Sequence, residues 1–408
     1  MTLLWTTIGV AILLLLLWGL RRAQQKNAFI WLPAYLKGDW AGRRARLADA
    51  ARGTVHIMFC IADHFEPRVG GPELETERER VAQWLEEYPT LAEEFRDTDG
   101  FHPRHTFFFP AEEYRPEHLD GLRQLVENNL GEVEIHLHHD NDTPEGFRQK
   151  LEEFILRMGS HGLLGSDRPT GDPRFGFVHG NWALDNSRPD GRWCGVNDEL
   201  RVLRDCGCFA DFTLPSAPSP CQTRRINSIY YATDDPERPK SHDDGVEVEV
   251  GGEQAGDLML IQGPLTVRWP GGRFWVLPRL ENGDLQGHNM PTAKRMASWV
   301  HTNICVAGRP EWVFVKVHTH GCSDRNRHAL LGEEMRDFHR HLTGHYNDGI
   351  RYRLHYVTAR ELYNIVKAAE AGRTGDPGMY RDYAILPPAA GPRRRQPQTT
   401  AQTTEAGL

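Results

Sequence analysis

The chain has 408 residues, 39% hydrophobic and 25% charged, ample for a packed core in one large domain or two modest ones. A formal charge of -8 speaks against a nucleic-acid footprint over the whole chain, and no nucleic acid is expected as a partner. Seven cysteines do not resemble a small disulfide scaffold, and the pair Cys206/Cys208 lacks zinc-knuckle spacing.

Residues 3–20, LLWTTIGVAILLLLLWGL, carry no charge and are long enough for a thin or slightly adjusted hydrocarbon core. Neither a basic n-region nor a small-residue cleavage signature accompanies them. The sequence therefore predicts a retained transmembrane helix over residues 1–22, making a single-pass membrane protein. Arg21, Arg22, Lys26, Lys37, Arg43, Arg44 and Arg46 follow. The positive-inside rule then favours a cytoplasmic domain, with the exported side as the alternative. Residues 23–50, basic and aromatic by turns (Trp31, Tyr35, Trp40), read as a membrane-proximal collar.

From residue 55 apolar runs alternate with helical periods. VHIMFC (55–60), HTFFFP (105–110), VEIHLH (133–138), FGFVHGNW (175–182), CFADFTLPS (208–216), WVFVKVH (312–318) and YRLHYV (352–357) read as strands or strand-like runs. Helices are expected over 77–95, 112–129, 143–156, about 197–206, 291–301, 328–342 and 358–370, with a hairpin over 265–278 around a Gly–Gly pair. Such alternation predicts an α/β fold with parallel strands, open or closed into a barrel, over residues 51–370. The tail, residues 386–408, cannot build a core and reads as disordered.

Three strand-like segments end in His or Asp: CIADHFEP, VEIHLHHDND and KVHTHG. In parallel α/β folds chemistry gathers at the C-terminal strand ends. Asp63 sits where β-structure would deliver it to that edge. His138 and Asp142, four apart, can share one side of a turn entering a helix, able to grip a single ion. Asp63, His138 and Asp142 are thus the expected ligands of a divalent metal, Zn²⁺ first, which would activate water for hydrolysis. His318 and His320, two apart on a late strand, are the acid candidates. His136 shares the face of His138 and is expected to orient a ligand or the substrate. His179, Asn181 and Trp182 form a candidate sugar-binding rim, with Asp211, Thr213 and Ser216 at the same mouth. The plainer alternatives are strand-end histidines that satisfy carbonyls, HHDND as a polar turn, and Trp182 as core. No GxSxG elbow, Walker or dinucleotide-binding pattern is present, so serine hydrolase, kinase and dehydrogenase chemistry lose their best support.

In this order, IADHF, HTFFFP, VEIHLHHDND, DCGCFADFTLPS and VFVKVHTHG resemble the polysaccharide deacetylase superfamily, the NodB-like carbohydrate esterases of the family 4 type. The resemblance spans roughly residues 54–365. It implies a distorted (β/α)7 barrel and metal-dependent removal of an N-acetyl or related acyl group from a glycan or lipid-linked sugar precursor, beside polysaccharide-biosynthesis partners. It aligns Asp63 with a metal-ligand aspartate, His138 with the first metal histidine, Asp142 with the second and His318 with the catalytic acid. The family's first motif holds a second aspartate, the base; here none is present, and His64 or Glu66 would substitute. The same barrel would also suit an amidase or deformylase, or a glycan-binding protein without turnover.

Overall fold

The computed structural model describes residues 2–38, 53–269 and 278–392. The apolar runs become parallel strands: β1 (Val55–His64), β2 (His105–Pro110), β3 (Gly131–Leu137), β4 (Pro173–His179), β5 (Cys208–Asp211), β6 (Leu258–Ile261), β7 (Trp312–Thr319) and β8 (Tyr352–Tyr356). Hydrogen bonding orders seven of them β7-β1-β2-β3-β4-β5-β6. β8 takes the first half of β1 (Val55↔Tyr352 to Phe59↔Tyr356), and β2 takes the second (Ile61↔His105 to His64↔Phe108). The register brings the histidines to one edge: Ala62 pairs His318, Pro110 pairs His136 and Leu137 pairs His179.

Ten helices are described: α1 (Thr2–Gln25), α2 (Ala28–Lys37), α3 (Leu74–Glu93), α4 (Pro116–Glu127), α5 (Pro144–Ser160), α6 (Glu199–Asp205), α7 (Ala293–Thr302), α8 (Asp324–Leu330), α9 (Glu333–His345) and α10 (Ala359–Glu370). Their starts are fixed by side-chain caps where the sequence supplies them. Thr143 Oγ1 accepts from Gly146 N at the head of α5, and Thr358 and Glu361 form a reciprocal capping box on α10. Every residue of β1 is buried. Ile57, Phe59 and Ile61 pack with Val81, Trp84 and Leu122 on one face, while Met58, Cys60 and Ala62 join Phe108, Phe314 and Leu362 on the other. Burial on both faces is why this strand reads as an apolar run rather than an alternation.

Two expectations are corrected. The first is the distorted (β/α)7 barrel: the domain is α/β with a mixed sheet. Between β5 and β6 no α-helix forms, and Ile229–Ala232 runs antiparallel to β6 and to Val246–Glu247. That connection carries Pro215, Pro218, Pro220, Pro236 and Pro239, which deny a helix its interior N–H groups. The second is the membrane anchor: among the described residues no helix is long and apolar enough to cross a membrane. The uncharged stretch, residues 3–20, stands near the lower limit of a span and is followed directly by Arg21 and Arg22 inside the same helix. The single-pass topology, the membrane as a partner held through that helix, and the side assigned by the positive-inside rule fall with it. Instead α2 packs Ala28 and Trp31 against Ala217 and Leu265, and Asn27 donates to Pro218 O at 2.8 Å.

The flanks of the expected hairpin pair as Thr266–Arg268 with Arg279–Glu281. Its tip (270–277), the collar residues Trp40, Arg43, Arg44 and Arg46, and the tail from 393 lie outside the described residues.

A buried ion network ties α10 to β3. Arg360 grips Glu132 through Nη2–Oε1 at 2.7 Å and Nε–Oε2 at 3.0 Å, and Arg104 Nη2 lies 3.7 Å from the same carboxylate. Removing one partner of such a pair strands a buried charge. Arg360→Ala is expected to cost about 3–5 kcal/mol in denaturant unfolding; a change below about 1 kcal/mol would mean the network contributes little.

Candidate functional site

At the C-terminal edge of the sheet, one carboxylate lies among histidines. Glu66, two residues past β1, places Oε1 3.3 Å from both His136 Nε2 and His138 Nε2, and Oε2 2.8 Å from His320 Nδ1. His64 completes the ring, its imidazole centroid 4.9 Å from that of His136 and 4.7 Å from that of His320. Its position follows from strand periodicity: Met58, Cys60, Ala62 and His64 share one face of β1.

The other ring nitrogens of the β3 histidines are committed. His136 Nδ1 lies 2.8 Å from Val178 O, which can only accept, so Nδ1 carries a proton and Nε2 is the nitrogen that faces Glu66. His138 Nδ1 lies 2.5 Å from Glu112 Oε1, a carboxylate on the turn after β2, so this nitrogen too carries a proton. Two Nε2 atoms and a carboxylate therefore converge, each imidazole oriented from behind as metal-binding histidines are; an ion bound there would displace the protons they share with Glu66.

Electrostatics follow the contacts. Burial works to raise the Glu66 carboxyl, but hydrogen bonds from His136, His138 and His320 hold it well below its ordinary range. Burial opposes charge on His138, yet Glu112 and Glu66 lift the ring to about 10. His64 is held well below its ordinary value by burial and then by His320 and His136. His320 is raised, its bond to Glu66 outweighing burial.

The expected site residues divide. His64, Glu66, His136, His138 and His320 come together; Asp63 and Asp142 do not join them. Asp63, fully buried, accepts from Gly321 N at 2.5 Å and pairs with His105 Nε2 at 2.8 Å, clasping β1 to β2 and to the turn after β7. Asp142 lies 3.2 Å from His139 Nδ1 and 2.5 Å from Lys150 Nζ. His318 is buried behind His64, with Nε2 4.0 Å from Asp284 Oδ1. Trp182 stands at the rim, its ring 6.1 Å from that of His320, on a turn where Asn181 and Trp182 have left-handed φ of 53° and 58°. Asp211 is buried and accepts from Thr213 N and Oγ1; Thr213 Oγ1 in turn accepts from His179 N, and Ser216 is buried beyond it.

His179 belongs to a second cluster. His139, His179, Cys194 and Glu199 are all buried, with one ligand atom from each lying within 4.8 Å of the others. This cluster is capable of coordinating a metal ion. Its imidazoles stay neutral: burial lowers His139 to about 4 and His179 to about 3, while burial raises Glu199 to about 7 and pushes the Cys194 thiol up. Cys194 and Glu199 escape a strand-end search because they lie in the loop after β4 and at the first residue of α6; Glu112 escapes because it precedes α4 in a run of surface-like acids. A separate cleft of about 710 Å³, lined in part by His56, Trp312, Arg353 and Asp376, opens at the other end of the sheet, away from both clusters.

No family model matches the sequence, and no curated protein matches it.

Glu112 makes no direct approach to the Glu66 centre except through His138. Glu112→Gln removes the charge behind His138 Nδ1 and is expected to weaken divalent-metal affinity about 10–100-fold. Calorimetric titration of the metal-stripped protein reads this, and an unchanged affinity would contradict the assigned role.

Proposed function

We propose that the protein is a metal-dependent hydrolase acting on the N-acyl group of a sugar, an N-deacetylase of the NodB-like kind that its motifs resemble. The observation that carries this reading is the convergence of Glu66 Oε1, His136 Nε2 and His138 Nε2, with both Nδ1–H groups anchored behind them. Two histidines and one carboxylate are the ligand set of hydrolytic zinc sites that keep a position open. The edge is accessible as such a site requires: His138 and His320 side chains are 30% and 26% exposed, against 0% for His136 at the base.

Glu66, His136 and His138 would hold the divalent ion, which supplies Lewis acidity toward an acyl carbonyl and a hydrolytic water. His320 is the residue best placed to move a proton. It faces the open edge, and Glu66 Oε2 orients its Nδ1 side, leaving Nε2 for the reacting groups. His64, buried and held neutral, packs between His136 and His320 and keeps their rings apart. His318, the acid implied by the family resemblance, lies deeper, where it supports His64 (rings 6.4 Å apart) rather than meeting substrate. Trp182 offers an indole face at the rim against which a sugar ring can lie.

The test is acetate release from N-acetylated sugar oligomers by the purified protein, before and after chelation. Release should be abolished by chelator, restored by Zn²⁺ or a similar ion, and lowered at least about 100-fold in Glu66→Gln. His320→Ala should cost kcat more than KM. Hydrolysis indifferent to both chelator and Glu66→Gln would contradict the reading. Formate or another acid released in place of acetate would move it to a related amide substrate.

A further inference from the structure

We propose that His139, His179, Cys194 and Glu199 form a second, closed metal site of the zinc type, with a structural role separate from the Glu66 centre. The convergence of four buried ligand atoms within 4.8 Å of one another carries the case. His179 Nδ1 lies 2.6 Å from Gly180 O, which only accepts, so its proton is on Nδ1 and Nε2 bears a lone pair. His139 Nδ1 lies 3.2 Å from the Asp142 carboxylate but makes no hydrogen bond there, so this buried nitrogen is unsatisfied. The two Nε2 atoms lie 2.8 Å apart, each 3.3 Å from Glu199 Oε1. Three ligand atoms thus meet in one buried space around at most a shared proton, an arrangement that a cation in its place stabilises.

Cys194 completes the set. Its Sγ accepts backbone N–H groups from Asn186 at 3.3 Å and Val196 at 3.4 Å, and lies 3.4 Å from Glu199 Oε2. These donors would support the thiolate, the form that binds metal, once the proton that Cys194 donates toward Glu199 Oε2 is lost. On binding, the thiol proton leaves to solvent and the sulfur pair forms the metal bond. Ligands about 2.0–2.3 Å from a tetrahedral ion lie roughly 3.3–3.7 Å from one another, so the cluster needs only small adjustments.

Closure separates this site from the hydrolytic one. The His139, His179 and Glu199 side chains are 0% exposed, and Cys194 is equally buried, so no edge is left for substrate. What the site joins is the loop from Gly180 to Glu199. That loop is fastened to the end of β3 by Trp193 N to Asp140 Oδ1 at 2.6 Å and Asp142 N to Cys194 O at 2.9 Å. It also holds Asn181, Trp182, Asp185, Asn186 and Trp193 at positive φ, a conformation that surrounding contacts must impose. The metal would be the fastening that keeps Trp182 at the rim.

The test uses the full chain loaded with cobalt(II) in place of its own metal. Wild type should show a thiolate-to-cobalt charge-transfer band and the strong visible bands of a four-coordinate site. Glu66→Gln should keep both, and Cys194→Ser should lose the charge-transfer band together with about one metal equivalent per chain. A wild-type protein that binds cobalt without the thiolate band overturns the proposal, as does a band that survives Cys194→Ser. Should Cys194→Ser fail to fold, zinc-edge X-ray absorption of wild type decides: a sulfur shell at about 2.3 Å supports the site, and nitrogen and oxygen alone overturn it. Glu66→Gln tests the hydrolytic reading independently, since it leaves all four proposed ligands in place.

Discussion

A carboxylate buried among imidazoles can keep its charge only if the surrounding hydrogen bonds replace the water it has lost. Glu66 meets that condition through His136, His138 and His320, and the edge of the sheet is arranged around it. Val178 O and Glu112 hold the Nδ1–H groups of His136 and His138, so the remaining nitrogens can face only toward Glu66. Gly180 lets the loop after β4 pass close: a Cβ there would lie 2.4 Å from His138 Cδ2. Any side chain at 180 would push the ring away from Glu66.

Adjacent residues at the end of β3 serve different clusters. His136 and His138, two apart, face Glu66; His139, where the chain leaves the strand, turns to His179, Cys194 and Glu199. One cluster is partly open and carries groups able to move protons. The other is dry and joins four chain segments. The two arrangements match the physical distinction between metal sites that act on substrate and those that hold a fold together.

Much of the fold was legible. HTFFFP became β2 with its expected bounds, and the helix beginning near Thr143 is capped by that residue, because local periodicity and caps decide such elements. The strands Ile229–Ala232 and Leu258–Ile261 were not: four-residue runs inside a loop rich in Pro and charge have too little pattern to register. The uncharged N-terminal run was read as a membrane span, and no helix of the described residues meets that requirement. At the site, the clustering of histidines at strand ends was legible, but their partner was not. β1 is buried on both faces, so its sequence does not reveal which parity faces the open edge. Asp63 was read as a metal ligand and His64 or Glu66 as the substitute base; the structure turns Asp63 to His105 and His64 to the histidine ring, and the carboxylate comes from Glu66 beyond the strand. Cys194 and Glu199 come together only through tertiary packing, which no spacing in the chain announces.

The central claim is that the Glu66, His136 and His138 triad holds the metal on which hydrolysis depends. Anomalous diffraction at the metal edge, from crystals of the protein grown without chelator, tests this most directly. The expected result is a peak bonded to Glu66 and to the Nε2 atoms of His136 and His138, with a coordination position open toward Trp182. Density showing those nitrogens bonded only to Glu66 or water, in crystals soaked with Zn²⁺, would contradict the account.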